Sequence, residues 1–247
     1  MTGAGVRPRG KRAADPVAAS RPRREVSFWR QVRELTRTDL RAERRSGEAL
    51  LMVVPFGATA LLIVPLAVGA DVPLLRSLGP GLYWAIVLLF GALLAVRHTS
   101  TRSAAHQDLL DLLGVDPLAP LLARAAASTV LLVVFAVGLA PVAVAFYDPA
   151  LDGWAWLAAL VPLVAVGLAV LGTVAGALAD GVDQRASLVP VLVVPLAVPL
   201  LIAATQAQQA AAHSQPPTGW LLLAVASDLV VLVALVAASR TLEESPR

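Results

Sequence analysis

One carboxylate, Asp228, stands in the apolar run "WLLLAVASDLVVLVALVAAS" about nine residues from its start. At 1.5 Å per residue that is roughly 13 Å along a helix, close to the middle of a bilayer. An ionised carboxylate there costs about 2.5–3.5 kcal/mol on insertion scales, so Asp228 must face protein or water, or hold a proton. Proton relay or substrate contact is one reading; a neutral acid bonded to a neighbouring hydroxyl such as Ser227 is the other. Histidine is the other residue type here with the chemistry to hold a metal or haem. His98 and His106 flank the segment "HTSTRSAAH", while His213 lies in "AQQAAAHSQPPTG", and the three form no ligand cluster. His213 is expected as a solvated loop residue, with contact to an external haem as the functional alternative.

The remaining motifs exclude more than they assign. There is no cysteine, so disulfides and thiolate metal sites are ruled out. "GVRPRGKR", Gly5 to Arg12, nearly spells a phosphate-binding loop, but Arg12 replaces the hydroxyl that would hold magnesium. Lys11 is the single lysine of the chain, so ATP must be bound by another subunit if it is used at all. There is no H-E-x-x-H, no serine-nucleophile motif and no paired carboxylates in a soluble domain. Transport or assembly is favoured over catalysis.

The elements that position these residues are membrane helices. Of the 247 residues, 57% are hydrophobic and 15% charged, against about 25% charged in soluble domains. Six apolar segments, near 49–69, 80–96, 121–146, 155–179, 187–206 and 219–239, approach the roughly 20 residues that cross a bilayer. Orientation follows from cation counting. Thirteen Lys and Arg precede the first segment, and with six spans Arg97, Arg102, Arg124, Arg185, Arg240 and Arg247 fall on the same side; Arg76 alone falls opposite. Both termini are therefore expected in the cytoplasm.

The fifth span carries its own helix breakers, Pro190, Pro195 and Pro199, in "LVPVLVVPLAVPLLIAAT". Each removes a backbone donor, tolerable in lipid where neighbouring helices or hydroxyls satisfy the freed carbonyls. This span is therefore expected to face other helices. In the preceding span, Gly172 and Gly176 form a small-xxx-small packing face.

Outside the spans, residues 1–25 are rich in Pro and Arg and nearly free of large apolar side chains, which predicts a disordered basic tail. Beside a membrane it is expected to contact anionic lipid rather than nucleic acid. Residues 26–47 place Trp29, Val32, Leu35 and Leu40 near one stripe, with Phe28 beside it, an interfacial amphipathic helix. Residues 48–240 then form the transmembrane domain and 241–247 a short cytoplasmic tail. A signal-peptide reading is weak, since five more spans would follow any cleavage. In the loop Val96 to Ala125, Leu109, Leu110, Leu112 and Leu113 alternate with Asp108 and Asp111 before Gly114 and Pro117, predicting a short amphipathic helix. With "ADGVDQRAS" it forms either a docking surface for a soluble partner or a pair of solvated connectors.

"SLVPVLVVPLAVPLLIAATQA" resembles the fifth-span signature of the CcmB family, the permease-like subunit of the haem-exporter ABC complex in cytochrome c maturation. Pro195, Leu196, Pro199, Leu200, Leu201, Ile202, Ala204 and Thr205 carry the match. "LLRSLGPGLYW" is similar to the family's outer-loop L-x-P-G-x-x-W through Leu78, Pro80, Gly81 and Trp84. Asp39, Leu40, Arg41, Glu43 and Arg44 resemble the family's opening helix, so the resemblance covers about residues 28–240. After the second span this chain lacks the family's acidic, glycine-containing coupling pattern, keeping only leucines and Pro117, and Asp228 replaces an expected apolar residue.

The resemblance implies an all-α integral membrane protein of six transmembrane helices with an N-terminal interfacial helix, in an ABC-2-like permease architecture. It implies a non-enzymatic subunit of the bacterial inner (plasma) membrane, working with a CcmA-like ATPase and CcmC-like and CcmD-like membrane proteins, as a homodimer within the complex. Haem is then the handled ligand, exported or released from its chaperone by ATP-driven motion. In that setting Asp108 to Leu113 are the ATPase-docking candidates, and Pro190, Pro195 and Pro199 are kinks that either bend with the ATPase or simply shape the bundle. The alternatives are a general ABC-2-type export permease for a lipid, drug or polysaccharide and, further off, a proton-coupled carrier using Asp228.

Overall fold

The computed structural model describes residues 27–46, 48–69, 71–100, 116, 118–149, 154–179 and 185–244. Seven helices and no strands are present among them: α1 (Phe28–Ser46), α2 (Glu48–Val68), α3 (Val72–Ser100), α4 (Leu118–Tyr147), α5 (Trp154–Ala179), α6 (Arg185–Ala212) and α7 (Thr218–Glu244). Five of them, α3 to α7, contain stretches long and apolar enough to cross a membrane, and α2 adds a shorter apolar stretch, Val53–Val68. The chain is thus an all-α, multi-pass membrane protein, and each expected span coincides with one helix. Asp108, Leu109, Leu110, Asp111, Leu112 and Leu113 lie outside the described residues, as do the basic tail and His106.

Helix ends follow local chemistry. Asp71 caps α3: its Oδ1 accepts from Leu74 N–H at 3.1 Å and its carbonyl from Leu75 N–H at 3.0 Å, as a short acceptor before a first turn should. Asp116 does the same for α4, accepting from Leu118 N–H at 2.9 Å. Gly69 ends α2 at φ 77°, with its N–H on the Pro65 carbonyl, a left-handed cap for which glycine carries no Cβ penalty.

α5 is the hub, packed against α3, α4, α6 and α7, while α2 leans on α3 and α4. The core gathers Trp84, Phe90, Leu132, Phe135, Leu168 and Leu200, with Phe90 and Phe135 stacked at a centroid distance of 4.0 Å. α7 is peripheral: Leu222, Leu229, Val230 and Val233 are exposed, an apolar face suited to lipid.

Three expectations change at this level. The α1 stripe is not free for the bilayer. Val32 is buried with Ala119 and Ala123 of α4, flanked by Phe28 and Leu35, and Thr36 Oγ1 lies 3.3 Å from the Ala123 carbonyl. Trp29 points away and is 72% exposed, because spacings of three and four place Phe28, Val32, Leu35 and Thr36 on one face. Arg124, expected in a loop, is buried within α4. The second span begins eight residues earlier than its apolar run, so Pro80, Gly81 and Trp84 belong to a helix and not to an outer loop.

Candidate functional site

The start of α3, the end of α4 and the end of α6 meet around Arg76. Asp71 caps the start of α3, and the helix continues through Pro80 with Leu75 buried and Leu74 and Leu78 exposed before it. Close approach of α4 requires Gly79: a Cβ there would lie 3.0 Å from Tyr147 Cβ. Tyr147 in turn donates its hydroxyl to the Leu61 carbonyl at 2.7 Å. In a regular helix that carbonyl takes the N–H of the residue four positions on, and that residue is Pro65. Tyr147 therefore satisfies a carbonyl that a proline leaves open, in the manner membrane helices require.

The two sequence motifs that resemble the CcmB family are brought together here. Trp84, 1% exposed, donates from Nε1 to Gln208 Oε1 at 3.0 Å. One turn away, a Cβ on Gly81 would stand 4.0 Å from Thr205 Cγ2, so α3 and α6 run close along Gly81 and Thr205. Tyr83 lies edge-on to Trp84 at 5.1 Å and donates to the Ala136 carbonyl at 2.8 Å. Two adjoining cavities share Arg76, Pro80, Pro149 and Gln208. The wider, about 410 Å³, also touches Gln209 and His213; the narrower, about 100 Å³, runs inward along Tyr83, Trp84 and Leu157. Arg76 donates from Nε to the Asp148 carbonyl at 2.9 Å and pairs through Nη2 with the Asp148 carboxylate.

His213 is exposed in the ordered turn that follows α6, which runs six residues past the expected span. The histidine follows Ala212 directly. Its N–H is held by the Gln209 and Ala210 carbonyls, and Gln215 N–H returns to Ala210 at 2.9 Å, with Ser214 at φ 56° closing the turn. Among the described residues no group of three or more His, Asp or Glu is placed to hold a metal ion.

Asp228 is set between helices. Its Oδ1 would lie 2.1 Å from a Cβ on Gly167, and Leu200 Cδ2 would lie 2.6 Å from it, so the carboxyl fills the place a side chain on α5 would take. Ser227 does not bond it, since its hydroxyl donates to the Leu223 carbonyl. Both carboxyl oxygens are buried without a hydrogen-bond partner. A hydroxyl on a helix finds the carbonyl four residues back more readily than a neighbour pointing 100° away.

α6 faces α3, α5 and α7, as expected of this span, and Pro190 is half-buried. Pro195 and Pro199 are exposed, and α6 buries Val189, Val193, Ala197, Leu200 and Ala204 instead. Ala197, Ala203, Ala204 and Ala207 are buried along α6, while the rings of Pro195 and Pro199 are turned outward. α6 stays helical through all three prolines. Gly172 lines a small void with Arg124, Ser128 and Thr173.

Sequence reading did not single out Tyr147, Asp148 or Gln208. The first two carry a legible signal, an aromatic residue and a turn-forming "YDP" at the end of an apolar run; Gln208 carries none.

A polytopic helical bundle with motif residues clustered at one end is the class defined by these features. The chain belongs to the CcmB protein family, whose model matches residues 30–245. It is 36% identical over 191 residues to "Heme exporter protein B" of Bradyrhizobium diazoefficiens, covering 71% of this chain and 80% of that protein. It is 30% identical over 218 residues to the protein of the same name from Paracoccus denitrificans, covering 85% and 97%. The corresponding Rhodobacter capsulatus protein is 32% identical over 178 residues, 69% of this chain and 79% of its own.

Proposed function

We propose that this chain is the membrane subunit of a haem-export system in c-type cytochrome biogenesis. The observation that carries the proposal is the family match over residues 30–245, joined to relatives named heme exporter protein B that align over most of their length. The chain resides in the bacterial inner membrane with both termini cytoplasmic, as its cation distribution favours. The Arg76 end then faces outward.

ATP is hydrolysed by a separate CcmA-like subunit docked on the cytoplasmic segments around Asp108 to Leu113 and residues 179–187. CcmC-like and CcmD-like proteins and a second copy of this chain complete the complex. The packing supports a simple transmission path. α5 touches α3, α4, α6 and α7, so displacement of its cytoplasmic end moves the elements that shape the Arg76 cleft. The outward prolines of α6 lower its bending stiffness, since each leaves one turn without its backbone bond.

The test is a deletion strain stained for covalent haem, with b-type haem quantified alongside. Selective loss of c-type cytochromes, restored by the gene, is expected. Normal c-type cytochromes in the deletion strain would overturn the assignment.

A further inference from the structure

We infer that the cleft at the Arg76 end is a binding site for an iron porphyrin carrying carboxylates, with His213 as the axial ligand and Arg76 as the carboxylate partner. The inference rests on the proposed function and adds the residues and ligand chemistry of this cleft.

Three observations carry it. The first is His213. Its Nδ1 lies 2.7 Å from the Gln209 carbonyl, an atom that only accepts, so in the neutral ring Nδ1 bears the proton. Nε2 therefore keeps its lone pair, and the carbonyl fixes tautomer and ring plane as the outer partners of metal-bound histidines do. The second is Arg76. Two of its five N–H donors are spent on Asp148, yet the pair is more than half exposed on both sides. Such a pair contributes little to stability; its consequence here is a guanidinium held in place where the two cavities join, with donors left over for a carboxylate. The third is the shape of the space. A volume of about 410 Å³ falls in the range of roughly 300–1,000 Å³ typical of small-molecule sites. It opens into an apolar recess walled by Tyr83, Trp84 and Leu157.

An amphiphile with an anionic edge, an apolar edge and an electrophilic metal at its centre matches all three. A lipid would match the recess and the arginine but would leave His213 Nε2 without a role.

The full chain in detergent micelles is titrated with ferric protoporphyrin, metal-free protoporphyrin and ferric protoporphyrin dimethyl ester. Wild type is expected to shift the Soret band of the ferric porphyrin to that of a histidine complex. His213→Ala should abolish that shift, and a variant lacking His98 and His106 should retain it. Arg76→Gln should weaken binding of both diacids by about fivefold, in keeping with one exposed charge pair, and leave the ester unchanged. An unaltered Soret position in His213→Ala, or equal effects of Arg76→Gln on diacid and ester, would overturn the site. His213 and Arg76 are exposed, so loss of folding does not confound either variant. If the gene restores c-type cytochromes while His213→Ala binds like wild type, the cleft assignment fails and the function stands. If His213→Ala alone loses the shift while the deletion strain keeps its c-type cytochromes, the function fails and the site stands.

Discussion

Replacing Tyr147 by Phe removes one oxygen and, with it, the donor that satisfies the carbonyl left open by Pro65. Tyr147 is 2% exposed, so water does not substitute. A net hydrogen bond is worth about 0.5–1.5 kcal/mol, but a buried acceptor left unmade costs its full desolvation, about 1–3 kcal/mol. The larger figure applies, because the Leu61 carbonyl has no backbone N–H to return to. For a chain of this size 1 kcal/mol corresponds to roughly 2–4 °C in melting temperature, so Tyr147→Phe should melt about 2–12 °C lower in detergent. The cause is separable from general loss of packing. Pro65→Ala restores an N–H four residues after Leu61, so the double variant Pro65→Ala/Tyr147→Phe should recover at least half of the loss. Pro65→Ala alone should melt close to wild type, since the carbonyl has two lone pairs and accepts both donors. A Tyr147→Phe variant that melts within 1 °C of wild type, or a double variant no better than the single, would refute the reasoning.

Gly167→Ala places a methyl 2.1 Å from Asp228 Oδ1 and 2.6 Å from Leu200 Cδ2. Overpacking of about 1–3 kcal/mol outweighs up to about 1 kcal/mol of helix propensity, so melting should fall and Asp228→Ala should restore part of it. Trp84→Phe loses the bond to Gln208 and leaves unfilled volume; a loss of about 1–3 kcal/mol is expected by thermal denaturation. Pro195→Ala with Pro199→Ala returns two backbone donors to an outward face of α6, which should raise the melting temperature while lowering c-type cytochrome yield. Unchanged yield would remove the bending role of these prolines.

The kind of protein and the course of its chain are legible along the sequence because both depend on local properties. Apolar length dictates a span, since lipid offers no partner to an unpaired backbone, and Asp71 and Asp116 announce helix starts through the short reach of their side chains. Pro80, Gly81 and Trp84 were recognisable as a motif at the start of a span, but the helix before them, residues 72–79, was not, because a proline after "RSLG" reads as a turn. Trp29 shows the same limit: alternating charge marks α1 as amphipathic, and only α4 decides which residues are covered. The candidate site is a matter of pairing between distant segments. Trp84 and Gln208 are 124 residues apart, Tyr147 and Leu61 86, and Arg76 and Asp148 72. Asp228 was visible as an intramembrane carboxyl, yet its seat on Gly167 was not, because a glycine shows its purpose only when a neighbouring helix fills the space it leaves. Composition and periodicity alone determined that this chain lives in a membrane; side-chain shape, acting across helices that lipid cannot hold together by hydrophobicity, decided where its cleft is.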